Sequence, residues 1–356
     1  SLLPEHIAGF TKLNCKVFIE RGAGNNACTS DENYLQSGAN IVSREEVLEQ
    51  AQIILTIKAL NEYDLKQCKA KILLGTYNAL LNTAVIQKCA AANFSVFSME
   101  MLPRTTRAQS MDVLSSQANI AGYKAVLLAA NLYPKYFPMF MTAAGTIPPA
   151  KVLVLGAGVA GLQAIATAKR LGAVIEVFDT RPAVKEEVMS LGGKFIEVEG
   201  AADASKAGGY AVEQSQDFLQ RQKEKIAESV AKADIIITTA QIPGKKAPVL
   251  ISNEMLAAMK NGSVIVDLAA ATGGNTAQTQ NEKTIVYHGV TIAGNSLLAG
   301  DMPADASKLY GKNILNFLQL IIDKEGNLNL NFEDDLVKGT CVAHKGRITN
   351  EKLLNQ

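Results

Sequence analysis

The stretch 151-KVLVLGAGVAGLQAIATAKRLGAVIEVFD-179 decides the fold of this 356-residue chain. Its apolar run Val152 to Leu155 predicts a β-strand, Leu162 to Arg170 predicts a helix, and Val174 to Phe178 predicts a second strand. Gly156-Ala157-Gly158-Val159-Ala160-Gly161 joins the first strand to the helix, and Asp179 ends the second strand. This order of elements predicts a Rossmann-type βαβ unit that binds a dinucleotide.

The glycines and the acid of this motif each have a physical task in the predicted unit. Gly156 permits the tight turn, Gly158 lets the backbone approach a pyrophosphate, and Gly161 allows the helix to pack closely on the strand. The helix N-terminus offers free N–H groups to the anion. Asp179, twenty-three residues after Gly156, is expected to accept hydrogen bonds from the adenosine ribose and to repel a 2′-phosphate. We therefore expect NAD(H), although Arg181 could pair with such a phosphate.

Length and composition limit the class of protein. At 356 residues the chain predicts about two domains, and a 48% apolar content excludes disorder as the main state. The 35 basic and 34 acidic residues give a charge of +1, so no global field favours nucleic acid or anionic membranes. Functional partners are therefore expected at specific sites.

Cysteine, histidine and proline usage narrows the setting further. Five scattered cysteines and three distant histidines argue against a disulfide framework and a metal centre, and they fit a reducing compartment. We expect no signal peptide at the start of the chain. The most apolar stretch, residues 125–150, contains four prolines and a lysine, which forbid a regular membrane helix. We expect the chain to be soluble and without metal.

Alternating strand and helix patterns predict the domain organisation. The first third predicts strands at 15–20, 53–58, 71–76 and 94–97, with helices at 45–51 and 84–91 between them. A long helix is predicted from Gln109 to Asn131, and strands follow near 194–198, 234–238, 263–268, 284–287 and 291–293. Residues 200–216 predict a mobile surface loop. A helix from Asp305 is expected to return the chain to the first domain, which ends in a short hairpin-like tail.

The fold class expected from this pattern is α/β, with two Rossmann-like, doubly wound parallel-sheet domains joined by long crossover helices with a cleft between them. The first domain is predicted at 1–120 plus 306–356, and the dinucleotide-binding domain at 121–305. Nothing ahead of Ser1-Leu2-Leu3-Pro4 resembles a strand, so the opening strand of the first domain is expected to be missing.

A second glycine-rich segment, Gly22-Ala23-Gly24-Asn25-Asn26-Ala27, also matches G-x-G-x-x-A. The polar residues 28–33 that follow are not expected to form a helix packed under a sheet. We therefore interpret this segment as a turn or a cleft loop rather than a second dinucleotide site.

The segment LPRTTRAQSMDVLSS presents a second group of candidate site residues. Gln109, Asp112 and Ser115 are three residues apart, so they would share one face of a helical turn, close to Arg104. An acid, an amide and a hydroxyl could hold a carboxamide and a ribose there. Alternatively, the segment is a solvated helix start with Asp112 near the positive end of the helix dipole. The spacing alone leaves both interpretations open.

Several long motifs resemble one family closely. These are RAQSMDVLSSQANIAGYKAV, MTAAGTIPPAKVLVLGAGVAGLQAIATAKRLGA, GGY at 208–210, TTAQIPGKKAPVLI from Thr238 and DLAAATGGN from Asp267. They are similar to the soluble NAD(H)-binding component of the proton-translocating NAD(P) transhydrogenases, over nearly the whole chain. The family's first strand and its E-x-R-V-A type loop are not matched.

The resemblance implies roles for particular residues. It places Arg104, Gln109 and Asp112 beside the nicotinamide with Ser115 nearby, and Tyr210 in a mobile loop that closes over nucleotide, next to Gly209. It implies contacts to adenosine and pyrophosphate from Ala157, Gly158, Val159, Asp179, Thr180, Arg181, Gln222, Thr239, Ala240 and Gln241. It also implies a homodimer, a partner domain that binds NADP(H), and separate membrane-spanning segments that translocate protons. The chain would then lie against a membrane, on the cytoplasmic or organelle-matrix side.

Two alternative functions are considered. Alanine dehydrogenases share the fold, but they use a lysine, a histidine and an aspartate, which would fall at Lys58, Thr76 and Ala271. Thr76 and Ala271 exchange no proton near neutral pH, and losing such a group costs about 10²–10⁴ in rate. Hydride transfer between two nicotinamides needs no acid or base, only close approach without water. The second alternative is a non-catalytic NAD(H) sensor, which would have no use for Gln109, Asp112 and Tyr210.

Overall fold

The computed structural model describes residues 2–68, 71–198 and 216–354. The chain divides into two compact units, Ser1–Gln117 with Met302–Gln356, and Ala118–Asp301. The helices are α1 Pro4–Thr11, α2 Asp31–Gln36, α3 Arg44–Gln50, α4 Glu62–Gln67, α5 Thr83–Ala91, α6 Val113–Leu132, α7 Val159–Arg170, α8 Lys185–Ser190, α9 Gln216–Lys232, α10 Asn253–Ala257, α11 Pro303–Leu318, α12 Asp335–Thr340 and α13 Glu351–Leu354. The strands are β1 Phe18–Glu20, β2 Asn40–Val42, β3 Ile53–Leu55, β4 Ile72–Gly75, β5 Ser95–Ser98, β6 Phe140–Thr142, β7 Gly145–Ile147, β8 Lys151–Leu155, β9 Val174–Phe178, β10 Lys194–Phe195, β11 Ile235–Thr238, β12 Val264–Asp267, β13 Lys283–Tyr287, β14 Val290–Gly294, β15 Cys341–His344 and β16 Arg347–Ile348.

The second unit is built on a seven-stranded sheet in the order β10-β9-β8-β11-β12-β14-β13. Six strands are parallel and β13 adds an antiparallel edge. In β8, Val152 and Val154 belong to one buried cluster, while Leu153 and Leu155 belong to a second cluster on the opposite face. Burial on both faces explains why the strand is an unbroken apolar run. Between β8 and β11 the strand order reverses, which is where ligands bind in such sheets.

The first unit contains a five-stranded sheet in the order β16-β15-β5-β4-β3. The strands β3 to β5 are parallel, and the chain returns through β15 and β16 as an antiparallel pair, so the predicted hairpin-like tail is confirmed. A separate parallel pair is formed by β1 and β2, and β1 lines a cavity of about 580 Å³ whose other walls include residues 50–56. Arg44 reaches from α3 to Glu20 of β1 at 2.8 Å and to Asp64 at 2.7 Å.

The predicted α/β class with two parallel-sheet units is confirmed. No helix among the described residues is both long and apolar enough to cross a membrane. The predicted surface loop at 200–216 lies outside the described residues except for Gln216, which begins α9.

Two local predictions are wrong. The long helix predicted from Gln109 is divided into a 3-10 helix, Thr106–Met111, and α6, because Asp112 between them is extended at φ −75° and ψ 93°. The segment Gly22–Ala27 does form a turn with a 3-10 helix, as predicted, but the polar residues after it do enter a helix. Ser30 caps α2, and Tyr34 of that helix is buried, with 1% exposure.

Candidate functional site

The glycine-rich turn of the second unit has the geometry its sequence predicts. Gly156 has φ +103°, a conformation that side chains rarely adopt, and a Cβ there would meet Thr239 Oγ1 at 2.4 Å. A Cβ on Gly161 would lie 1.9 Å from the Gly156 carbonyl oxygen, so only glycine lets α7 approach β8 this closely. At Gly158, the N-cap of α7, an added Cβ would meet no atom within 4 Å. The turn is therefore closely packed at Gly156 and Gly161 and open at Gly158.

Asp179 lies at the end of β9 and binds the turn directly. Its carboxylate accepts the Ala157 N–H at 2.7 Å, and it also accepts the backbone N–H of Arg181 at 2.8 Å. The Arg181 guanidinium adds two bonds to the same carboxylate, at 2.9 and 2.8 Å. These charge-assisted bonds raise the pKa of Arg181 above its ordinary value. Arg181 thus pairs with the acid, where the sequence left open that it would serve a 2′-phosphate.

A second wall of the site comes from the loop after β11. Thr239 donates its hydroxyl to the Gly156 carbonyl at 3.1 Å, which joins this loop to the glycine-rich turn. The Gln241 amide donates to the Leu268 carbonyl at 2.9 Å. Ala240 is held through both backbone groups by Asn275, whose Oδ1 accepts at 3.0 Å and whose Nδ2 donates at 2.8 Å. The structure therefore brings Thr239 and the glycine-rich turn together.

Sequence reasoning assigned no role to two residues that support this wall. Asp267, fully buried at the end of β12, accepts N–H bonds from Ala269 and Asn275 and the Thr279 hydroxyl. Asn275 in turn fixes Ala240. Both residues belong to the motif DLAAATGGN, in which an acid and an amide enclose a glycine pair, and this pattern could have indicated them. In the structure both glycines adopt positive φ. Their contacts show a supporting role behind the wall.

The residues present fit a dinucleotide on an observation independent of the motif. Gln222 in α9 is 7% exposed, and its Oε1 has no hydrogen-bond partner among the described residues. Buried polar atoms without partners are rare in native proteins and indicate a missing ligand or water. The first N–H groups of α7 lack helical partners, and Val159 at their head is 40% exposed. Thr180 is half-buried after Asp179. The free N–H groups at the start of α7 could hold a pyrophosphate.

The candidate residues of the first unit lie around the break before α6. Arg104 and Gln109 are exposed, Gln109 within the 3-10 helix. Asp112 accepts the Ser115 N–H at 2.9 Å and the Ser115 hydroxyl at 2.6 Å, so it caps α6. The shared helical face predicted for Gln109, Asp112 and Ser115 is wrong, because the extended residue Asp112 separates Gln109 from the helix. Asp112 does lie at the positive end of the α6 dipole, as the alternative interpretation expected, and its role in a nicotinamide site stays a prediction.

Two predicted residues cannot be placed. Gly209 and Tyr210 lie outside the described residues, together with the rest of the GGY motif. Their predicted roles stay predictions.

The positions that would serve an amino-acid dehydrogenase carry no acid–base set. Thr76 is half-buried after β4, and its hydroxyl lies 3.4 Å from the hydroxyl of Tyr310. Burial raises the pKa of Tyr310 to about 12, so this hydroxyl also keeps its proton at neutral pH. Ala271 is exposed in a 3-10 helix of the second unit, and Lys58 is exposed after β3. Of these positions, only Lys58 carries a group suited to proton transfer.

Comparison with known proteins agrees with this geometry. The family model described as alanine dehydrogenase/PNT, N-terminal domain, matches residues 1–121, and the one described as alanine dehydrogenase/PNT, C-terminal domain, matches residues 125–351. The chain therefore belongs to the alanine dehydrogenase/PNT family.

Individual relatives divide clearly by similarity. The chain is 45% identical over 367 residues to the first of the alpha-subunit chains of the NAD(P) transhydrogenase of Rhodospirillum rubrum, covering 100% of this chain and 95% of the relative. The solved transhydrogenase of Sinorhizobium meliloti is 43% identical with a TM-score of 0.89, over 98% of this chain and 95% of that one. A solved L-alanine dehydrogenase has a TM-score of 0.82 at 20% identity, over 99% and 94%, which shows a shared fold alone. Within the family, the chain groups with the transhydrogenase alpha subunits.

Proposed function

We propose that this chain is the NAD(H)-binding component of a proton-translocating NAD(P) transhydrogenase. In this function it presents NADH to NADP⁺ bound on a partner domain, so that a hydride passes directly between the two nucleotides. The observation that carries the proposal is the combination of a dinucleotide site in the second unit with Thr76 and Ala271 at the acid–base positions of an amino-acid dehydrogenase. Hydride transfer between nicotinamides requires no such acid or base.

The second unit is proposed to hold the adenosine and pyrophosphate. The N-terminus of α7, starting at Gly158 and Val159, would face the pyrophosphate with its free N–H groups. Asp179 and Thr180 would receive the ribose, with Thr239 to Gln241 on the opposite wall and Gln222 supplying an acceptor. Arg181 pairs with Asp179 in the structure, so it is not directed at a 2′-phosphate, and we expect the Asp179 carboxylate to select NAD(H) over NADP(H).

The first unit is proposed to serve the nicotinamide. NADH, when bound, supplies the hydride. Arg104 and Gln109 carry exposed donor groups suited to orient a carboxamide, and Asp112 with Ser115 forms the rigid start of α6 beside them. Tyr210, with Gly209, is proposed to exclude water from the site, because hydride transfer requires the two nicotinamides to approach closely without water between them.

The chain is proposed to act as a homodimer. The hairpin of β6 and β7 projects apolar side chains, with Met139, Phe140 and Met141 exposed by 61%, 42% and 69%, and Ile147 by 38%. An isolated two-stranded hairpin with an apolar surface is marginally stable in water and indicates an interaction surface. A second copy of this chain is the occupant that we propose for it.

The remaining partners follow from the same proposal. An NADP(H)-binding domain and membrane-spanning segments that translocate protons would complete the enzyme. The chain would then be peripheral to a membrane, on the cytoplasmic or organelle-matrix side.

The test is hydride exchange with and without an added NADP(H)-binding domain. The chain alone is expected to bind NADH and to transfer hydride slowly or not at all, and the added domain is expected to restore transfer. Robust reduction of NAD⁺ by the isolated chain with alanine would refute the proposal.

A variant separates the catalytic function from a sensor function. Gln109→Asn shortens the side chain by one methylene while keeping the amide, so it withdraws the amide without changing charge. The proposal expects a transfer rate lower by about 10²-fold, typical of a misplacement of 1 Å, with near-normal NADH affinity. An unchanged rate would favour a non-catalytic NAD(H) module.

A further inference from the structure

A buried asparagine of α11 is tied to the segment that carries Gln109. Asn313 is 8% exposed, and its Nδ2 donates to the Ser110 carbonyl at 2.9 Å. Its Oδ1 accepts the Ser116 hydroxyl at 2.8 Å, at the start of α6. One side chain therefore bridges the 3-10 helix before Asp112 and the helix after it. All these residues belong to the first unit.

The Ser110 carbonyl receives a second amide. Asn316, one turn further along α11, also donates its Nδ2 to this oxygen, at 2.9 Å. Residues three apart lie on one face of a helix, so the two amides converge on a single carbonyl. Two donors on one carbonyl fill both of its lone pairs and fix its direction.

The other side of Gln109 is held by an ion pair. Arg107 forms a bidentate pair with Asp334, at 2.7 and 2.6 Å, and Asp334 also caps α12 through the Leu336 and Val337 N–H groups. This pairing holds the pKa of Asp334 below its ordinary value. Gln109 thus lies between two anchored residues, although its own side chain is exposed.

The cost of keeping Asn313 indicates a use for it. Asparagine is less favourable than alanine inside a helix, and a buried amide must find partners. In α11 its neighbours Ile314 and Leu315 are apolar and buried. Within the described part of the chain, the partners of its amide are Ser110 and Ser116, which lie on either side of the break at Asp112.

We infer that Asn313 is a positioning residue for Gln109, holding the break before α6 in one conformation so that the exposed amide is pre-oriented. This inference rests on the proposed role of Gln109 in hydride transfer. Pre-organised groups lower the barrier because no ordering is needed at the moment of reaction.

The test is Asn313→Asp, assayed in the full chain with an added NADP(H)-binding domain. Aspartate keeps the shape and the acceptor for Ser116, but its carboxylate meets the Ser110 carbonyl with no donor. We expect kcat for hydride transfer to fall about 10- to 100-fold, with the dissociation constant of NADH changed by less than about 2-fold, because the second unit carries the adenosine site. Asn316→Ala, which leaves Asn313 in place, should lower kcat by no more than a few-fold.

A matched control and a second readout keep the outcome decisive. Asn40→Asp makes the same chemical change where an amide donates to the Val17 carbonyl at 3.2 Å in the same unit, and it should leave kcat unchanged. Amide exchange of Ala108 and Asp112, whose N–H groups bond within the segment, should be faster in Asn313→Asp. Unchanged kcat and unchanged exchange in Asn313→Asp would overturn the inference. A wild-type chain that transfers no hydride with the added domain would instead overturn the proposed function.

Discussion

Two glycines of the same turn are expected to respond in opposite ways to the same added methyl group. In Gly161→Ala the new Cβ would lie 1.9 Å from the Gly156 carbonyl oxygen, so α7 must move away from β8. Overpacking of this kind costs about 1–3 kcal/mol. In Gly158→Ala the Cβ meets no atom within 4 Å, and φ −77° suits alanine. The free energy of unfolding should then change by less than about 1 kcal/mol.

Nucleotide affinity should be weakened directly by the substitution that spares stability, Gly158→Ala. The space in front of Gly158 is where the pyrophosphate is proposed to approach, so its methyl group should raise the dissociation constant of NADH at least 10-fold, or about 1.4 kcal/mol. Urea unfolding followed by circular dichroism gives the stability, and NADH fluorescence titration gives the affinity. Because the chain has two units, the transition of the second is assigned as the one that NADH shifts.

The predicted pattern is a destabilised Gly161→Ala, with a melting temperature lower by about 4–8 °C for a loss of 2 kcal/mol, and a stable Gly158→Ala that binds poorly. Equal stability losses in both variants, or a Gly158→Ala that binds NADH as tightly as wild type, would refute the geometric reasoning.

Three further outcomes follow from buried polar groups. The His6 ring bonds the Leu3 N–H and the Lys308 carbonyl, and burial lowers its pKa. The contribution of neutral His6 to the free energy of unfolding is therefore fully present above about pH 6.5 and should be lost as the pH falls through the folded pKa. Urea unfolding of the first unit at different pH values measures this loss. Asp179→Asn should shrink the ratio of NADPH to NADH dissociation constants at least 10-fold, measured by titration. Thr238→Val removes a fully buried hydroxyl that has no partner among the described residues. The free energy of unfolding of the second unit should therefore rise by between zero and about 1 kcal/mol, measured by thermal unfolding.

Each of these has a control. His6→Gln should flatten the pH dependence, and a slope equal to that of wild type would assign it to another group, such as His344. An Asp179→Asn chain that still rejects NADPH would show that selectivity lies elsewhere. Thr239→Val, which removes a hydroxyl bonded to the Gly156 carbonyl, should lose stability where Thr238→Val does not.

The dinucleotide unit was predictable because its signals are local. Gly156 is required by its own positive φ, Gly161 by its contact with the Gly156 carbonyl, and Asp179 bonds Ala157 within the same βαβ segment. The same holds for the tail hairpin of β15 and β16, whose pairing spans few residues. Turn geometry and close packing leave a fixed spacing that can be recognised without any tertiary information.

Contacts between distant residues were not predictable. The break at Asp112 is flanked by such contacts, since Ser110 before it and Ser116 after it both bond Asn313 of α11. The strand β2 has only three residues, and its pairing with β1 follows from the tertiary fold. The link from Asn313 to Ser110 spans 203 positions, and no local pattern indicates it.

The short strands β1 and β2, beside the cavity, have a consequence for local opening of the first unit. A pair of three-residue strands forms few ladder bonds. β1 is attached to the rest of the unit partly by the ion pair of Glu20 with Arg44, whose side chains are 41% and 44% exposed, so salt weakens it. Such a region opens at a lower free energy than the five-stranded sheet. In high salt, a protease should therefore make its first cut in the first unit between residues 16 and 42, well before that sheet unfolds.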